Sequence, residues 1–117
     1  MAQSIGYFQF DNLVRGRVGF VFINLGIDTT PIYPHVFKMH LEQRLLQLSA
    51  GDLASSSNEQ VLEAMKSHGK ETAVIVLDQN GSRSETLADL LESVGFMNAF
   101  YVKGGWDQFL KDRALDQ

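Results

Sequence analysis

Blocks of apolar residues recur along the chain, and their period changes from block to block. "VGFVFINL" (residues 18–25) is short, continuous and rich in β-branched and aromatic side chains, which predicts a buried strand. "GIDTTPIYP" carries Gly26, Pro31 and Pro34 and predicts a loop. Over residues 36–48, Phe37, Leu41, Leu45 and Leu48 recur at helical spacing. The small polar run "SAGDLASSS" follows as a loop. Asn58 then caps a predicted helix bearing Val61, Leu62 and Met65, which ends near Gly69. "AVIVL" (residues 73–77) is a second continuous strand, of the kind found in sheets covered on both faces. Leu87, Leu90, Leu91 and Val94 give one apolar helical face that Gly95 terminates. "AFYV" (residues 99–102) is a further strand. Gly104 and Gly105 turn the chain into a last helix, with Trp106, Phe109 and Leu110 as core anchors.

Strands alternating with helices predict an α/β fold. Its central, mostly parallel sheet has about five strands with helices on both faces, in a single domain over residues 1–117. Ligands of such sheets sit at the carboxyl ends of the strands. Asp78 lies at that end of "AVIVL".

Composition narrows the chemistry. With 44% hydrophobic and 21% charged residues, the chain has the make-up of an ordinary globular domain. A formal net charge of -4 argues against a nucleic-acid surface, which needs a basic stripe. No apolar run approaches the roughly 18 residues of a membrane helix. The N-terminus lacks a basic segment followed by an apolar one, so no signal peptide and a cytoplasmic location are expected. The chain has no cysteine, which removes disulfides, thiolate catalysis and cysteine-held metals.

One loop stands out. Asp78, Gln79, Asn80, Gly81, Ser82, Arg83 and Ser84 join the second strand to a helix N-terminus. Gly81 permits positive φ, so the loop can curl and aim several N–H groups at one point, a cradle for an anion. Arg83 opposes the helix dipole in the first turn and has a better use in bracing the loop or an anion. The plain alternative is a solvated arginine beside an ordinary strand–helix turn.

With its continuation, this segment resembles the rhodanese-like family, whose active loop reads Cys-x-x-Gly-x-Arg followed by Ser or Thr. "DQNGSRS" matches the glycine, the arginine, the serine and the loop length. "LLESVGFMNAFYVKGGWDQF" is similar to the family's ending, with its Gly-Phe-x-Asn turn, short strand and Gly-Gly pair before an aromatic-bearing helix. Upstream, Asn24, Leu25 and Gly26 stand where the family has Asp-x-Arg, and "PHVFKMH" around His35 only echoes its Gly-His-Ile-Pro-Gly-Ala turn.

The resemblance implies a sulfurtransferase fold whose chemistry is gone. In the family a cysteine opens the loop and carries sulfur as a persulfide, whereas Asp78 holds that position here. A carboxylate cannot form a persulfide. Asp78 is expected instead to occupy the cradle as an internal anion, accepting the N–H groups of residues 80–82. The implied role is a protein-interaction or regulatory module with an unidentified protein partner, including a second copy, and without cofactor, metal, nucleic acid or membrane.

Two enzyme readings remain. Asp78 as a phosphoryl acceptor or hydrolytic base would need a divalent cation and further acids, for which Asp28 is the one candidate. A small-anion sensor would have Asp78 displaced to open the cradle. His35 and His40 are five apart, off the spacing of two ligands on one helical face, and His68 sits at a helix C-terminus, where an imidazole is favourable anyway. A Ser-His-Asp set from Ser82 or Ser84 with His35 is a combination any soluble protein offers. Tyr7, Phe8, Phe10, Phe20 and Phe22 are expected to be mostly buried. Glu85, Asp89 and Glu92 are expected to form a solvated face.

Overall fold

The computed structural model describes residues 2–16, 19–29, 31–33 and 57–115. Among these, four strands form one sheet: β1 (Gln3–Ile5), β2 (Val21–Asn24), β3 (Val74–Leu77) and β4 (Ala99–Val102). Their order is β1-β4-β3-β2 and every pairing is parallel. The four helices are α1 (Tyr7–Arg15), α2 (Asn58–Met65), α3 (Ser82–Ser93) and α4 (Gly105–Leu115). The expected α/β fold with helices on both faces is what the chain adopts. The helix expected over residues 36–48 and the loop over residues 49–56 lie outside the described residues.

The sheet is apolar on both sides because alternate side chains of each strand enter different layers. Ile23, Val74 and Val76 meet α2 and α3 through Val61, Met65, Leu87 and Leu91. Phe22, Ile75, Leu77 and Val102 meet α1 and α4 through Phe10, Val14, Trp106 and Phe109. That second layer is aromatic: Trp106 stacks on Phe109 at 4.6 Å, and Phe10 meets Phe109 edge-on at 5.7 Å.

The two layers meet at the loop. The chain leaves β3 for α3 on one face and leaves β4 for α4 on the other. The carboxyl ends of β3 and β4 therefore flank a topological switch point, where open α/β sheets bind ligands.

Local rules set the boundaries. Ser57, not Asn58, caps α2: its hydroxyl accepts the Gln60 amide at 3.2 Å, and the Gln60 side chain accepts the Ser57 amide at 2.8 Å. This is a reciprocal capping box, and Asn58 becomes the first helical residue. The helix ends at Met65, and turns carry the chain on to Gly69. After α3, the Gly-Phe-x-Asn turn is held by its asparagine. The Asn98 amide donates to Glu71 O at 2.9 Å while Asn98 O accepts Val74 N at 2.9 Å, fixing where β3 begins.

Two expectations about side chains, on Leu110 and Asp89, are corrected. Leu110 is 40% exposed, because Trp106 and Phe109 alone point α4 at the sheet. The N-terminal aromatic set is mostly buried as expected, with Phe10, Phe20 and Phe22 inside; Phe8 is the 61% exposed remainder, since α1 turns Phe10 and Val14 inward and Phe8 to the opposite side. Asp89 is not simply solvated: its Oδ1 accepts the Ala2 amide at 2.7 Å and ties the start of β1 to α3.

Candidate functional site

The loop between β3 and α3 closes on Asp78. Its side chain is buried at 6% exposure. Oδ1 accepts the Gly81 amide at 2.7 Å and the Ser84 hydroxyl at 2.9 Å. Oδ2 accepts the Arg83 amide at 3.0 Å. The carboxylate therefore caps α3, where orphan N–H groups and the helix dipole favour negative charge. Burial is tolerable because each oxygen is engaged.

The rest of the loop is also committed. Asn80 Oδ1 accepts both the Ser82 amide at 3.0 Å and the Ser82 hydroxyl at 2.8 Å. The amides converging on Asp78 are thus those of Gly81 and Arg83, and the Ser82 amide expected among them is taken by Asn80. Ser84 is fully buried and also lies 3.1 Å from Gly81 O, so its single proton is shared between that carbonyl and Asp78. The Arg83 guanidinium reaches α2, where Nε donates to Asn58 Oδ1 at 3.2 Å. It braces the loop against the first turn of α2.

A second set of contacts comes from residues outside the predicted loop. The Trp106 amide donates to Asp78 O at 2.8 Å and the Asp107 amide to Gln79 O at 3.0 Å. The Gln79 side chain returns a bond to Asp107 Oδ1 at 2.5 Å. One residue, Asp78, thus satisfies the N-termini of two helices, α3 through its carboxylate and α4 through its carbonyl. The approach is close. Gly81 has φ +91 and a Cβ there would sit 2.9 Å from Gly104 N; one on Gly105, at φ +67, would sit 2.6 Å from Gly81 N. The Gly-Gly pair before Trp106 is the sequence signal for this contact.

All seven predicted loop residues come together. Asp28 is exposed in the loop after β2. Asn24, at the end of β2, is buried and bonds Ile27 both ways, Nδ2 to Ile27 O at 2.8 Å and Ile27 N to Oδ1 at 2.7 Å. It closes its own turn. His68 is half-buried in the turn after α2. His35 and His40 lie outside the described residues. Among the described residues no three His, Asp or Glu side chains group as a metal site, and no helix is long and apolar enough to cross a membrane.

The family model described as "Rhodanese-like domain" matches residues 35–112, about two thirds of the chain. The chain belongs to the rhodanese-like domain family. The match takes in β3, the loop, α3, β4 and the Gly-Gly entry to α4. No curated protein and no solved structure matches the chain. As a rhodanese-like domain it departs from the family at the residue that does the chemistry. With no cysteine anywhere in its 117 residues, it has no atom on which to carry sulfur as a cysteine persulfide.

Proposed function

We propose that this rhodanese-like domain is a non-catalytic module that works through protein contacts, with the Asp78 carboxylate built into the cradle in place of a bound anion. The observation that carries the reading is the closure around Asp78. A carboxylate bonded to Gly81 N, Arg83 N and Ser84 Oγ takes up the donors a bound anion would need. A free anion would also be repelled by the charge already present. The same engagement disfavours Asp78 as a phosphoryl acceptor, because a nucleophilic oxygen must be open to its substrate.

Contact chemistry has a place on the surface. Phe8 and Leu115 flank a groove at the junction of α1 and α4, and both are well exposed. Neighbouring exposed apolar side chains of this kind mark a place for protein contact.

Three measurements test the proposal. The native protein should show no thiosulfate–cyanide sulfur transfer. Isothermal titration with sulfate or phosphate should show no binding, and tight binding with amide shifts at Gly81 to Arg83 would overturn the internal-anion reading. Sedimentation and cross-linking should reveal self-association or partner capture that Phe8→Ser with Leu115→Ser weakens. Capture unchanged by that pair would remove the contact surface from the proposal.

A further inference from the structure

The loop contains Asn80 followed by Gly81, and this dipeptide has a chemistry of its own. The Gly81 nitrogen can attack the Asn80 Cγ. A C–N bond forms, the bond from Cγ to Nδ2 breaks, and ammonia leaves with the proton lost by the nitrogen. Water then opens the cyclic imide at either carbonyl, giving aspartate or isoaspartate. Glycine at the second position makes the step easy, since no side chain hinders the attacking nitrogen or the rotation that presents it. Asn80 is exposed, so water reaches the site.

Three contacts oppose the step. The attacking nitrogen is bound through its proton to Asp78 Oδ1 at 2.7 Å. Gly81 is buried against the Gly104–Gly105 backbone, with room for less than a methyl group. Gly81 O accepts the Glu85 amide at 3.1 Å as the first turn of α3 forms. The peptide plane between Asn80 and Gly81 therefore cannot swing to bring its nitrogen onto Cγ while the loop is closed. The Asn80 side chain is itself held by two donors from Ser82.

We infer that Asn80–Gly81 is a latent deamidation site that Asp78 holds shut, which makes Asp78 a positioning residue for the chemical integrity of its own loop. Opening the loop exposes the bond to attack. Isoaspartate at position 80 would then route the main chain through the former side chain and lengthen it by one atom. The close packing of Gly81 on Gly104 does not admit that atom, so the modified loop stays open. This inference rests on the loop contacts alone and stands whether or not the domain binds proteins.

The test is incubation at neutral pH, followed by trypsin and mass spectrometry of the fragment from Glu71 to Arg83, with isoaspartate separated from aspartate. A synthetic peptide of the same sequence gives the unrestrained rate. The folded protein should deamidate at Asn80 at least about tenfold more slowly than the peptide, the scale set by one hydrogen bond to a charged group. Asp78→Asn should recover much of the difference. A folded protein that matches the peptide overturns the inference. An Asp78→Asn variant that deamidates no faster than the native protein also overturns it, because Asp78 would then be irrelevant or would act as a base that promotes the attack. If that variant does not fold, hydrogen exchange of the native Gly81 amide decides the matter: slow exchange supports the clamp, and exchange at the free-peptide rate overturns it.

Discussion

A side-chain carbon on Gly105 would lie 2.6 Å from the carbonyl oxygen of Asp78, well inside the reach of any real contact. The backbone at Gly105 also has φ +67, a conformation costly for any other residue. Gly105→Ala should therefore destabilise the domain by about 2 kcal/mol or more, since strain and backbone clash act together. Urea unfolding followed by circular dichroism measures it, and a loss below the cost of an ordinary surface alanine would contradict the close approach.

Asp78→Ala leaves the Gly81 and Arg83 amides and the Ser84 hydroxyl without their shared acceptor. The expected cost is about 2 kcal/mol, that of a lost helix cap bonded to a charged group. Added formate, which replaces the missing carboxylate, should raise the melting temperature of the variant and leave the native protein unchanged. Thermal melts with and without formate make the comparison.

Tyr33 gives the domain an alkaline limit. Its hydroxyl donates to Asp11 Oδ1 at 2.9 Å and its ring is fully buried. Burial first, then the bond to Asp11, pushes the phenol well above the usual tyrosine range. The sign follows from linkage: the folded state keeps the proton while the unfolded chain releases it. The contribution is complete below the ordinary tyrosine pKa of about 10 and fades as pH rises beyond it. Tyr33→Phe should be less stable at neutral pH but should lose less stability between neutral and strongly alkaline solution. Unfolding curves across that range test the difference.

Asp89 holds the sheet's edge. Asp89→Ala should free the Ala2 amide and loosen β1, at a cost below about 1 kcal/mol for a partly exposed bond. The Lys103 amide, which donates to Ile5 O at 2.9 Å, reports the change as faster hydrogen exchange. Unaltered exchange at Lys103 would show that the tether does not govern β1.

The best-read part of the chain runs from Ala73 to Phe109. β3 has four buried residues in a row, and α3 carries Leu87 and Leu91 on one face, so period and burial coincide. β1 and α1 were not legible in the same way. β1 is three residues long with two exposed, below the length at which alternation means anything. α1 did leave a signal: Phe10 and Val14 at i, i+4 beside Asp11 and Arg15, which pair at 2.8 Å. The aromatic crowding around Tyr7, Phe8 and Phe10 concealed it. At the site, sequence pointed to Asp78 as an acceptor of loop N–H groups, yet the capture of the Ser82 amide by Asn80 depends on the turn's geometry. The bonds from the Trp106 and Asp107 amides to Asp78 O and Gln79 O are made by backbone atoms, which sequence does not distinguish.

The double duty of Asp78 has a mechanical consequence. α3 covers one side of the sheet and α4 the other, and a single amino acid fastens both ends like a rivet through two plates. Loosening either helix at this end therefore disturbs the contacts of the other, and the described residues should melt in one cooperative transition.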